Sequence, residues 1–105
     1  MESPVTARAA LLQALARGEN FGLALIDLVR ELTGGAVLLK QGSVYPQLAA
    51  MEAEGLVQFT REEPQRGRAR RWYALTPEGY AEVKVQRAIL RALITQATRT
   101  VGGRL

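Results

Sequence analysis

The chain has 105 residues, 48% of them hydrophobic, and a net charge of +4 from 14 Lys+Arg against 10 Asp+Glu, which describes one basic domain with a modest core. Cysteine and histidine are both absent, so disulfides, thiolate or imidazole catalysis and zinc sites are excluded, and the carboxylates are too scattered for a calcium loop; neither enzyme activity nor a cofactor is expected. No apolar run is long enough to span a membrane, and Arg8, Gln13 and Arg17 interrupt any export signal at the N-terminus, so a cytoplasmic location is expected.

Ser3 followed by Pro4 predicts a helix start, a side-chain cap before a proline at the first helical position. This first helix is expected to run from about Pro4 to Arg17 and stop at Gly18, with small alanines that admit a close neighbour. Asn20 is the expected cap of a second helix, Phe21 to Thr33, closed by Gly34–Gly35. Its Phe21, Leu25, Leu28, Val29 and Leu32 repeat at helical spacing and are candidate core. Ala36–Leu39 reads as a brief strand or extended lead into a third helix, which begins near Gln41–Ser43 and ends at Gly55. There Val44, Leu48 and Met51 make a narrow buried stripe, leaving Gly42, Ser43, Tyr45 and Gln47 on the outward side of the leading turns.

Leu56–Phe59 and Arg70–Leu75 read as the two strands of a hairpin, with Glu62–Ala69 as a loop pivoting on Gly67. In the second strand Arg71, Tyr73 and Leu75 share one face, and Arg70, Trp72 and Ala74 the other. Thr76–Pro77–Glu78 repeats the cap-then-proline device and opens a last helix reaching about Thr100, followed by a frayed tail over Gly102–Leu105. Its apolar residues span roughly half the circumference, wider than the ~100° stripe needed to dock on one core. A second copy of the chain is the expected cover. The expected dimer surface is Val85, Ile89, Leu90, Leu93, Ile94 and Ala97, together with Leu11 and Leu15 of the first helix.

Twelve of the basic residues are arginine, and Arg61, Arg66, Arg68, Arg70 and Arg71 fall close together on the hairpin. A helix able to enter a groove, followed at once by a basic hairpin, is the order of a winged helix-turn-helix. The expected fold is mainly α with a small β-hairpin: a winged helix-turn-helix over residues 1–76, then a long C-terminal dimerisation helix over 77–105. Double-stranded DNA is the expected partner. Ser43, Tyr45 and Gln47 are candidates for groove contacts, hydroxyls and the helix start suiting phosphate and a glutamine amide suiting adenine. Pro46 shapes the helix start, and Lys40 and Gln41 can reach the backbone. Arg66, Arg68 and Arg70 flank Gly67 and can reach phosphate or the minor groove, whereas Arg71 is a candidate for pairing with a carboxylate instead. Trp72 could stack on a flat effector or simply pack.

GSVYPQLAAMEAEGLV and GRARRWYALTPEG together resemble the signature of the PadR family of bacterial transcriptional regulators, and Phe21–Gly22 is similar to the family's aromatic–glycine pair in the second helix. Met51 stands where the family usually has leucine, and Ala69 where the wing usually has proline. The short region after the wing resembles the small subfamily, whose members end in a single dimerising helix. The resemblance implies a homodimeric repressor on a pseudo-palindromic operator, relieved by a small aromatic effector. The alternative from another class is a winged helix used as a protein-interaction or assembly module without specific DNA binding.

Overall fold

The computed structural model describes residues 5–66 and 68–103. Its elements are α1 (Ala7–Leu15), β1 (Asn20–Phe21), α2 (Gly22–Leu32), α3 (Gln41–Ala53), β2 (Val57–Gln65), β3 (Arg68–Leu75) and α4 (Pro77–Gly103). The expected Ser3–Pro4 start, the Gly67 pivot and the end of the tail lie outside the described residues. The cap that is described on α1 is Thr6, whose Oγ1 accepts from the Ala9 amide at 3.1 Å.

The core is drawn from all four helices and from two strands of the sheet. Leu11, Leu12 and Leu15 of α1, Leu25 of α2 and Val44, Leu48 and Met51 of α3 are completely enclosed, joined by Val57 of β2, Leu75 of β3 and Val83 of α4. Leu11 and Leu15, expected on the dimer surface, are therefore corrected. At 0% exposure they hold α1 in its own protomer and present nothing to a partner. A wide apolar arc on a short helix meant burial from several sides within one chain.

Two helices end alike. After α2, the Gly34 and Gly35 amides donate to Glu31 and Arg30 carbonyls; after α3, Gly55 and Leu56 donate to Glu52 and Met51. Both are Schellman closures, and the φ of +60° at Gly34 and +78° at Gly55 is the left-handed conformation that glycine adopts without strain. Ala36 bends out of the α2 closure, its amide donating to Thr33 O at 3.1 Å, and residues 37–39 form no strand among the described residues. Pro46 lies inside α3 rather than in its first turn, so the Gly42 carbonyl has no helical N–H to accept.

The sheet departs from expectation in two ways, with strand order β1-β3-β2. Asn20 does not cap α2. It lies in β1, pairing with Tyr73 while Phe21 pairs with Trp72, and Phe21 is the N-cap residue. The hairpin is also longer than predicted, because the pairing Gln65↔Arg68 leaves a two-residue connection in place of the loop expected over Glu62–Ala69. The charges there stabilise strand rather than loop: Glu62 faces Arg71 and Glu63 faces Arg70 across the ladder. Pro64 is tolerated because β2 is an edge strand. Arg66 turns the corner with a φ of +44°, the sign that tight hairpin connections need.

α4 starts where the sequence says. The Thr76 amide donates to Leu56 O at 3.0 Å, its hydroxyl donates to Gly55 O at 2.6 Å, and the same oxygen accepts from the Gly79 amide at 3.0 Å. A Cβ at Gly79 would lie 2.1 Å from the Leu56 carbonyl oxygen, so only glycine lets α4 come this close to the end of α3. Beyond Val83 the helix leaves the core. The molecule measures 62 × 30 × 19 Å, the long axis reflecting a 27-residue helix of about 40 Å at ~1.5 Å per residue.

Candidate nucleic-acid interface

The leading turns of α3 face solvent. Lys40, Gln41, Gly42, Ser43, Tyr45 and Pro46 are exposed and Gln47 is half-buried, while Val44, Leu48 and Met51 anchor the opposite side in the core. Lys40 is the N-cap, and its side chain makes no capping bond. Its carbonyl accepts from the Ser43 and Val44 amides at 2.9 and 3.0 Å. The first amides of such a helix have no acceptor within it, and their positive end is open to an anion. Ser43 is therefore not the cap, and its hydroxyl is free of that duty.

Tyr45 is fixed by the residue it rests on. A Cβ built at Gly22 would lie 2.6 to 2.9 Å from Cε1, Cζ and Oη of Tyr45. The ring thus lies flush on the start of α2, with 46% of the residue still exposed. The aromatic–glycine pair noted in the sequence acquires a physical reason: the glycine seats the recognition-helix tyrosine.

The arginines of the hairpin divide among three tasks. Arg70 donates to Glu63 at 3.1 Å and stacks over Phe21 with Cζ 4.1 Å from the ring centroid. Arg61 donates to Glu19 at 3.2 Å and to Glu63 at 3.4 Å, and lies 3.8 Å over Trp72. On the other face Arg71 donates to Tyr73 Oη at 3.1 Å and stacks 4.2 Å over Phe59. That hydrogen bond, with the field of Glu52 and Glu62, holds its guanidinium still more firmly protonated. Arg71 finds a hydroxyl and an aromatic ring rather than the carboxylate pairing expected of it. Arg66 stands exposed at the tip. Arg68 opens β3, and its side chain lies outside the described residues. Arg70 is thus committed within the protomer rather than held out for a phosphate.

Glu19 and Glu63 were missed from sequence, and Arg61 was read only as one of the clustered hairpin arginines, although the three organise the outer face of the wing. Thr60 donates to Glu19 at 2.7 Å, and this bond, ahead of the Arg61 guanidinium, keeps the Glu19 carboxyl below its usual range. The signal was present in the alternation of Arg61, Glu63 and Arg70 along paired strands. It could be used only once the register was known. Trp72 packs edge-on against Phe21, 4.9 Å between centroids at 64°, and its buried Nε1 has no acceptor among the described residues. Packing, rather than an open stacking platform, is its observed role.

A family model described as the transcriptional regulator PadR-like family matches residues 11–85. The chain belongs to the PadR-like family of transcriptional regulators. Members of the family are DNA-binding regulators and not enzymes. Transcriptional regulator Rv3488 of Mycobacterium tuberculosis is 37% identical over 76 residues, covering 72% of this chain and 67% of the relative. Among solved structures, a PadR family regulator from Clostridium difficile R20291 aligns with a TM-score of 0.73 at 22% identity over 90% of this chain and 96% of that one, which shows the fold. PadR of Bacillus subtilis in complex with operator DNA aligns with a TM-score of 0.67 at 28% identity over 75% of this chain and 44% of that one.

If Gly22 is required by Tyr45, Gly22→Ala will lower the unfolding free energy by about 1–3 kcal/mol, as overpacking does. Adding Tyr45→Ala in the same chain will recover part of that loss, a coupling read from denaturant midpoints. A Gly22→Ala protein as stable as its parent would show that the contact exerts no such constraint.

Proposed function

We propose that this PadR-family regulator is a cytoplasmic, sequence-specific binder of double-stranded DNA, a homodimeric repressor that occupies a pseudo-palindromic operator. The observation that carries the reading is the exposed start of α3, anchored from behind by the core and flanked by a hairpin whose tip presents Arg66. Gln41, Ser43, Tyr45 and Gln47 would meet the major groove and its phosphates, with Lys40 on the backbone and Pro46 shaping the approach. Arg66 and Arg68 would supply the wing's phosphate contacts, and Arg70 would support them from within the sheet. The similar structure of Bacillus subtilis PadR was solved with operator DNA, which supports DNA as the partner.

Dimerisation is supported by α4. Val85, Ile89, Leu90, Leu93 and Ile94 are each more than half exposed, a continuous apolar stripe that water covers at a cost in one protomer. With Ala97 it would pack against its own copy, placing two recognition helices about 34 Å apart, one helical turn of DNA. Residues 77–105 would thus be the dimerisation unit, rooted through Val83 in the DNA-binding unit of 1–76. Relief of repression would come from a small aromatic effector that changes this spacing. A recess of about 470 Å³ between α1, the end of α2 and α4, lined mainly by apolar side chains including Val29, Leu32, Ile89 and Leu90, supports that reading.

Titration against salt tests DNA binding. The logarithm of affinity for a bound duplex will fall with log salt at ~0.9 per phosphate contacted, and Arg66→Ala will lower the slope by about 1. Undetectable duplex binding at low salt would favour the protein-interaction alternative. For the dimer, Leu90→Glu with Ile94→Glu will convert the protein to a folded monomer at tens of micromolar in light scattering. Unchanged association in that variant would remove α4 from the interface.

A further inference from the structure

Two neighbouring residues carry both elements of the proposed DNA surface. Gly22 seats the Tyr45 ring of α3, so the start of α2 touches the leading turns of the recognition helix. Phe21, one residue earlier, faces the wing instead. Its backbone pairs with Trp72 of β3, its ring meets the Trp72 ring edge-on at 4.9 Å, and the Arg70 guanidinium lies 4.1 Å over it. Glu63 then ties Arg70 to Arg61, which lies over Trp72 and reaches Glu19 just ahead of β1.

Resting on the DNA-binding reading above, we propose that Phe21 is a positioning residue for the wing, and that Phe21–Gly22 is the joint fixing the angle between wing and recognition helix. The chemistry of the ladder suits this task. A cation stacked on an aromatic face and simultaneously paired with a carboxylate is held in direction as well as distance, which a solvated surface ion pair is not. Four side chains on the outer face, Phe21, Trp72, Arg61 and Arg70, therefore stiffen the root of the hairpin without touching DNA. They leave the tip arginines a fixed offset from α3. A site that reads a groove with one element and a flank with another needs that offset held to about 0.5 Å and about 10–20°.

The chain has no native cysteine, so spin labels at Gln47→Cys and Arg66→Cys report the distance between recognition helix and wing tip. Labelled protein diluted into unlabelled keeps the reading within one protomer. A single narrow distribution is expected in the otherwise unaltered chain, roughly doubling in width with Phe21→Ala and returning to narrow with Phe21→Tyr, which keeps the ring. Val83→Ala, a core truncation in α4, serves as the stability control and should leave the width unchanged. A Phe21→Ala distribution as narrow as its parent's, or an equal broadening in Val83→Ala, overturns the joint. On duplex DNA, Phe21→Ala is expected to weaken binding about tenfold and to shrink the further loss caused by Arg66→Ala, since a wing already misplaced has less to lose. Full additivity of the two changes also overturns the proposal. Absence of duplex binding by the parent would sink the regulator reading, while the distance measurement still decides the joint.

Discussion

With 2.6 Å between a hypothetical Cβ at position 22 and the Tyr45 ring, that ring can lie on the start of α2 as it does only if position 22 carries no side chain. That contact fixes the Tyr45 ring, which stands in the exposed leading turns of α3 on the proposed DNA surface. Val44, Leu48 and Met51 hold the helix from the core side and set its rotation about its own axis, and a second constraint comes from α2. The tyrosine resting on a glycine backbone supplies that second constraint. The close approach at Gly79 repeats the device where α4 meets the end of α3, so both ends of the recognition helix are located by glycines against backbone or ring.

Charge is used economically around that frame. A count of arginines makes the hairpin look like a uniformly basic finger, yet the fold assigns Arg61, Arg70 and Arg71 to aromatic faces and hydrogen bonds within the sheet. What remains to offer a phosphate is concentrated at the tip. Such a division favours geometry over bulk electrostatic attraction, which by itself would bind any duplex. The apolar stripe of α4 is the counterpart at the other end of the molecule. In the proposed dimer it would give a partner copy a reason to dock and would set the distance between two DNA-reading surfaces.

Much of this was legible in the residues, and the failures have identifiable causes. The Thr76–Pro77 cap, the stop at Gly55 and the exposed Ser43–Gln47 turns follow from local rules, and local rules are what a short sequence records. The wing strands were read too short because Glu62, Glu63 and Pro64 look like loop until their cross-strand partners are known. Leu11 and Leu15 were misplaced because an all-round apolar helix implies several neighbours without saying whose they are. Asn20 has the chemistry of a cap, but two residues of antiparallel pairing with Tyr73 and Trp72 took precedence. Non-local pairing and close approach are the terms that sequence spacing does not carry.

Binding as proposed requires that the start of α3 and the hairpin tip are covered together by DNA. Amide hydrogen exchange of the protein with and without a duplex selected for binding measures this. Slowed exchange is predicted across Gln41–Gln47 and around Arg66, with the outer half of α4 unaffected. Slowing along α4 with none in α3 would contradict it.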